Sequence, residues 1–115
     1  MYSLSKAGRL CRNKSFQAVY RSGKSYANRH LVLYVLPQHG CGRRVGFAAG
    51  KRLGSAVVRN RVKRLLREAY RLEQHRLKGG FDLVIVGRQP VVNEKLSTVT
   101  AALLHLCERA KIIVS

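Results

Sequence analysis

Between Lys51 and Arg71 the chain reads KRLGSAVVRNRVKRLLREAYR, a dense run of guanidinium and ammonium groups threaded by apolar side chains. Set on a helix at about 100° per residue, Val58, Val62, Leu65, Leu66, Ala69 and Leu72 share one arc. Arg59, Asn60, Lys63, Arg64, Arg67 and Arg71 fill the opposite one. The first arc is a core face and the second a cationic strip. Solvated helix faces ordinarily pair Glu with Lys or Arg three or four residues away, yet only Glu68 and Glu73 are placed to neutralise this one. Guanidinium groups match phosphate oxygens two donors at a time. A surface helix that merely keeps the protein soluble is the bland alternative; this density of positive charge favours a nucleic-acid face.

A second kind of nucleic-acid contact is an aromatic ring for an unstacked base. Phe16 and Tyr20 stand one helical turn apart, and Tyr34 lies in a strand-like run. Residues at such spacing often serve only as core. However, the stretch from Arg44 to Lys51 alternates Val45, Phe47 and Ala49 with Gly46, Ala48 and Gly50, leaving one nearly bare strand face that admits a close neighbour or a ligand. Self-contained catalysis is a poor fit. Cleaving a phosphodiester needs clustered carboxylates for Mg²⁺, or His and Lys placed as acid and base. The only Asp is Asp82, within an apolar run, and Glu68, Glu73, Glu94 and Glu108 are scattered over helical segments. No GxxxxGK[ST] loop or GxSxG elbow occurs. Cys11, Cys41 and Cys107 are odd in number and lack CxxC spacing; His39 near Cys41 does not make a metal site, and His30, His75 and His105 have no carboxylate close in sequence. The expectation is no metal and no cofactor held by the protein alone.

The whole chain shares this character. It carries 23 Lys and Arg against 5 Asp and Glu, a formal charge of +18 on 115 residues, so its partner should be a polyanion. With 46% hydrophobic residues it is a folded domain, not a basic tail. One domain over 1–115 is expected, with residues 1–12 basic and extended. Leu31 to Leu36, one of the longest apolar runs, is far short of a membrane span, and a cytoplasmic protein is expected. A helix is predicted from Asn13 to a stop at Gly23, and a strand over His30–Leu36 before Pro37. A turn spans Gln38–Gly42, a strand Arg44–Lys51, and a further short strand is ambiguous within Lys24–His30. The basic helix runs from a Ser55 cap to about Leu77, ahead of Gly79-Gly80. Phe81–Arg88 reads as a buried strand with room for a parallel partner, and Asn93–Ala110 as a closing helix.

GSAVVRNRVKRLLREAYR, preceded by RRVGFAAGKRL and followed by GGFDLVIVGR, resembles the bacterial ribonuclease P protein component family. The similarity extends through the opening LSKAGRLCRNKSFQAVYRSGKSYANRHLVLYVLP to nearly the whole chain, and Arg59-Asn60-Arg61 followed by Lys63-Arg64 is specific in that context. The resemblance implies an α+β single-domain sandwich, α-β-β-β-α-β-α, with a left-handed crossover, like ribosomal protein S5 domain 2. It implies the protein subunit of a ribonucleoprotein that removes the 5′ leader from precursor tRNA. The RNA partner would carry the chemistry with Mg²⁺. Lys51, Arg52, Arg59, Asn60, Arg61, Lys63, Arg64 and Arg67 would meet the catalytic RNA, and Phe16, Tyr20 and Tyr34 would line a cleft for the leader. The chain departs from the family where Ala48-Ala49-Gly50 replaces a common Ser-Val-Ser run and where Ser15 stands for a frequent acidic residue; neither change has a physical account.

A ribosomal protein is the nearest alternative, with a self-sufficient nuclease and a membrane-surface protein behind it; the apolar stripe is better explained as core than as a lipid face. If about six phosphates are neutralised, the slope of log K against log salt for RNA binding should be about −4 to −5. Titration by fluorescence anisotropy over a range of salt measures it, and a slope near zero contradicts an electrostatic interface.

Overall fold

The computed structural model of the protein describes residues 9–10, 13–40 and 42–114. Cys11 and Cys41, and most of the basic N-terminal segment, lie outside them. The elements are α1 (Asn13–Ser22), β1 (Lys24–Ala27), β2 (Leu31–Pro37), β3 (Arg43–Ala49), α2 (Ala56–Glu73), β4 (Phe81–Gly87) and α3 (Leu96–Arg109), in the order expected. The ambiguous stretch after Gly23 is a strand, β1, paired antiparallel to β2. Several boundaries differ from the sequence reading: α2 ends at Glu73, short of the expected Leu77, because Gln74–Arg76 tightens into a 3₁₀ turn, and β2 takes in Pro37. Lys51 leaves β3 for a 3₁₀ turn over Lys51–Leu53. The closing helix begins at Leu96 because Gln89–Val91 forms another such turn around Pro90, and the Glu94 amide bonds to the Val91 carbonyl, not into a helix.

The sheet has the order β1-β2-β4-β3. β2 and β4 run antiparallel, while β3 and β4 are parallel and joined through α2. Strand alternation sends side chains to two faces. On one face the register aligns Val35, Leu83 and Val45, then Leu33, Ile85 and Phe47. There α2 and α3 supply Val62, Leu66, Ala69, Tyr70, Val99, Leu103 and Leu106 to the main core. On the other face, Tyr34, Val84 and Gly46 form one row and Val32, Val86 and Ala48 the next. A smaller core of Leu10, Val19 and Val84 closes under α1, with Phe16, Tyr34, Leu36 and Val86 packed against it. Leu10 is fixed there because its amide bonds to Val45 O at 2.9 Å along the outer edge of β3.

Gly46 explains how α1 approaches the sheet. A Cβ built on it would stand 2.4 Å from Phe16 Cζ, so the Phe16 ring occupies the space a side chain would need. The bare face of β3 is thus partly filled by the protein's own helix. Gly46→Ala should destabilise the fold by about 1–3 kcal/mol, the usual range for overpacking. Urea unfolding of Gly46→Ala, alone and combined with Phe16→Leu, checks this: the second change should recover part of the loss.

Candidate nucleic-acid interface

The cationic strip is positioned by α2. Ser55 caps the helix, its Oγ accepting from the Val58 amide at 3.3 Å. Val62, Leu66, Ala69 and Tyr70 are buried and anchor one side on the sheet. Leu65, assigned to the core arc, is only half-buried, and Tyr70 is a core residue that the arc did not include. The opposite side leaves Asn60, Arg61, Arg64 and Arg67 exposed and Arg59 and Lys63 half-buried, with Lys51 and Arg52 exposed on the preceding turn. Asn60, Lys63, Arg64 and Arg67 border one open depression of about 620 Å³ with Val57. Arg61 and Arg64 border a neighbouring one with Leu65, Glu68, Val92 and Glu94. The strip therefore presents two adjoining concavities along one helix. Arg59 differs from the rest: its Nε is buried without a hydrogen-bond partner among the described residues.

Carboxylates do not neutralise this surface. Ion pairs among the described residues join His30 to Glu94, Arg44 to Asp82, Arg71 to Glu68 and Arg76 to Glu73. None involves Lys51, Arg52, Arg59, Arg61, Lys63, Arg64 or Arg67. Arg71, placed in the strip by its helical angle, belongs elsewhere: its Nε donates to Glu68 Oε2 at 3.0 Å, and this pairing raises the pKa of the guanidinium and lowers that of the carboxyl.

The aromatic residues come together over the α1 face. Phe16 and Tyr20 have ring centroids 6.4 Å apart, and Tyr20 meets Tyr34 edge-on at 4.9 Å and 84°. Their environments differ. Phe16 is half-buried on Gly46, whereas Tyr20 is 40% exposed. Partial burial, with Tyr34 beside it, raises the Tyr20 pKa and keeps its phenol neutral. Beside this group the half-buried row of Val32, Val86 and Ala48 extends the floor. Sequence reasoning missed Val32 and Val86 because their inward and outward sense depends on which helix covers which face.

Asp82, His30 and Cys107 are each taken up by the scaffold. Asp82 is buried and accepts from Arg44 Nε and Nη2 at 3.1 and 2.7 Å and from Gln38 Nε2 at 3.0 Å. His30, without a carboxylate near it in sequence, has one in space: its Nε2 lies 2.9 Å from Glu94 Oε2. Cys107 is buried, and burial pushes its thiol up to about 12. Among the described residues no three of His, Cys, Asp and Glu are grouped to hold a metal ion, and no helix is long and apolar enough to cross a membrane.

The family model described as ribonuclease P matches residues 4–111. The ribonuclease P protein component of Symbiobacterium thermophilum is 45% identical over 111 residues, covering 96% of both chains. Among solved structures, the RNase P protein of Staphylococcus aureus superposes with a TM-score of 0.83 at 32% identity, covering 95% of this chain and 100% of that one. The RNase P protein of Thermotoga maritima gives 0.80 at 28% identity, covering 88% and 96%.

Stability and binding should separate along α2. Leu66 is 1% exposed, so Leu66→Ala should cost about 2–5 kcal/mol in chemical denaturation. Arg61→Ala or Lys63→Ala should stay within about 0.5 kcal/mol of the parent yet weaken binding to a structured RNA. A loss of stability without a loss of binding in the latter pair would make the strip a structural face.

Proposed function

The chain belongs to the ribonuclease P protein component family, and from that premise we propose how its surfaces serve removal of the 5′ leader from precursor tRNA. The cationic side of α2, with Lys51 and Arg52 ahead of it, binds the catalytic RNA. The observation that carries this reading is that seven basic residues on one continuous segment lack ion-paired carboxylates among the described residues, while Glu68, Glu73, Asp82 and Glu94 are paired to other groups. Such a surface repels itself until phosphates cover it, and covering it releases the RNA's counterions. On the opposite face of the sheet, Tyr20 and Tyr34 over the Val32, Val86 and Ala48 floor receive unpaired leader nucleotides by stacking. Phe16 forms the wall of this groove and holds it open by seating on Gly46.

The protein supplies binding and charge, not the reacting groups. The RNA carries the chemistry with Mg²⁺, which it holds mainly through its own oxygens. Asp82 supports this division: the one aspartate is occupied by Arg44 and Gln38. The complex works in the cytoplasm. RNA-free protein should leave precursor tRNA uncut at any Mg²⁺ concentration, and added catalytic RNA should restore cleavage. Site-specific cleavage by rigorously RNA-free protein would overturn the assignment of the chemistry.

The groove makes a differential prediction. Stacking on an aromatic ring contributes about 1–3 kcal/mol per base, so Tyr34→Ala in the holoenzyme should weaken binding of precursor with a leader several nucleotides long by about five- to a hundredfold. Precursor with a one-nucleotide leader and mature tRNA should bind nearly as before. Equal losses for all three, accompanied by a fall in melting temperature, would assign Tyr34 to the core alone.

A further inference from the structure

Arg67 is distinctive within the cationic strip: among the described residues of the strip, it is the one whose guanidinium rests over an aromatic ring. Its Cζ lies 5.7 Å from the centroid of Phe47, which projects from β3 toward α2 and is half-buried against the main core. Phe47 in turn meets Tyr70 near edge-on, with centroids 6.0 Å apart and planes at 69°. Tyr70 is buried, and its hydroxyl accepts from Arg43 Nε at 2.7 Å, with the Arg43 guanidinium carbon 5.7 Å from the ring. Arg43 is itself fixed at the far end of α2, donating through Nη1 to Leu77 O and through Nη2 to Gln74 O, both at 2.7 Å. Cation, ring, ring and cation thus alternate from the exposed side of α2 to the carbonyls at its end.

This ladder bears on RNA binding because a long exposed arginine normally loses rotamer freedom when it seizes a phosphate. A ring beneath the guanidinium restricts that freedom beforehand. Stacking engages the face of the group and leaves its in-plane N–H donors for a phosphate. Phe47 cannot yield easily, since Tyr70 and Arg43 brace it from behind. We propose that Phe47 is a positioning residue for RNA recognition, holding Arg67 ready as a phosphate fork on the surface of α2. The inference rests on the assignment of α2 to the catalytic RNA, and its test is arranged to fail separately from that assignment.

The test is a double-mutant cycle on affinity for the catalytic RNA, at one salt concentration and below each variant's melting midpoint. Phe47→Leu keeps an apolar side chain and removes the ring. With Arg67 present it should weaken binding about two- to fivefold. In an Arg67→Gln background it should have no further effect, whereas with Arg61→Gln the two losses should add. A merely structural Phe47 would produce the same loss in every background, or none, and that result overturns the inference. Unchanged or tighter binding by Phe47→Leu also overturns it, because the ring would then be withholding Arg67 from RNA. If Arg61→Gln and Arg67→Gln both bind as the parent does, the assignment of α2 falls and takes this inference with it. Should Phe47→Leu not fold, Phe47→Met, with its adaptable thioether chain, runs the same cycle.

Discussion

The seating of α2 on the sheet is the constraint on which the rest depends. One helix must carry Arg59, Lys63 and Arg67 at successive spacings of four residues, and like charges so placed destabilise a helix by about 0.2–0.5 kcal/mol per pair. In isolation such a helix is a poor prospect. What holds it is the opposite side, where Val62, Leu66, Ala69 and Tyr70 are buried. Burying a single Val or Leu side chain stabilises by about 1.5–3 kcal/mol, so two of these contacts outweigh the repulsion along the strip. The approach is close because β4 ends in Gly87: a Cβ there would stand 2.8 Å from Val62 Cγ1. Packing of the apolar stripe thereby permits a surface whose basic residues lack ion-paired carboxylates among the described residues.

In the proposed reading, β3 divides the two RNA contacts between the two faces of one sheet. Gly46 and Ala48 face α1 and the aromatic groove, while Phe47 and Ala49 face α2. A strand alternates strictly, so one residue's identity bears on one surface and its neighbour's on the other. The acidic residues follow the same economy. Asp82 locks Arg44, and Glu68, Glu73 and Glu94 pair with Arg71, Arg76 and His30; Glu68 and Glu94 border the concavity of Arg61 and Arg64 but are ion-paired to other residues. Net positive charge is therefore concentrated where it is useful, with the carboxylates spent on holding the scaffold.

Much of this was legible in the sequence, for identifiable reasons. The 3.6-residue period of α2 separates apolar from cationic residues without any knowledge of the fold. The helix stop at Gly23 and the apolar run of β4 are local signals too, whereas α2 ends at Glu73, ahead of the stop expected at Gly79-Gly80. What sequence reasoning could not supply was set by tertiary geometry. Tyr70 lies outside the apolar arc, and its burial in the main core, with Arg43 of β3 donating to its hydroxyl, is set by tertiary packing. His30 and Glu94 are 64 residues apart in sequence, so no spacing rule joins them. The bare face of β3 was visible as Gly46, Ala48 and Gly50, but only packing shows that Phe16 takes the place over Gly46 while the neighbouring row of Val32, Val86 and Ala48 stays half-buried. Arg71 shows the limit of angular reasoning: it lies on the cationic arc but is claimed by Glu68.

The central claim is that two different RNAs, or two parts of a substrate complex, meet opposite faces of this sheet. Photo-crosslinking in the assembled holoenzyme with precursor tRNA tests it directly, with one crosslinker placed at Lys63 and, in a separate preparation, one at Tyr20. The Lys63 probe should label the catalytic RNA, and the Tyr20 probe should label the 5′ leader and lose that signal when the leader is cut to one nucleotide. Labelling of the same RNA segment from both positions, or leader labelling from Lys63 and none from Tyr20, would contradict the account.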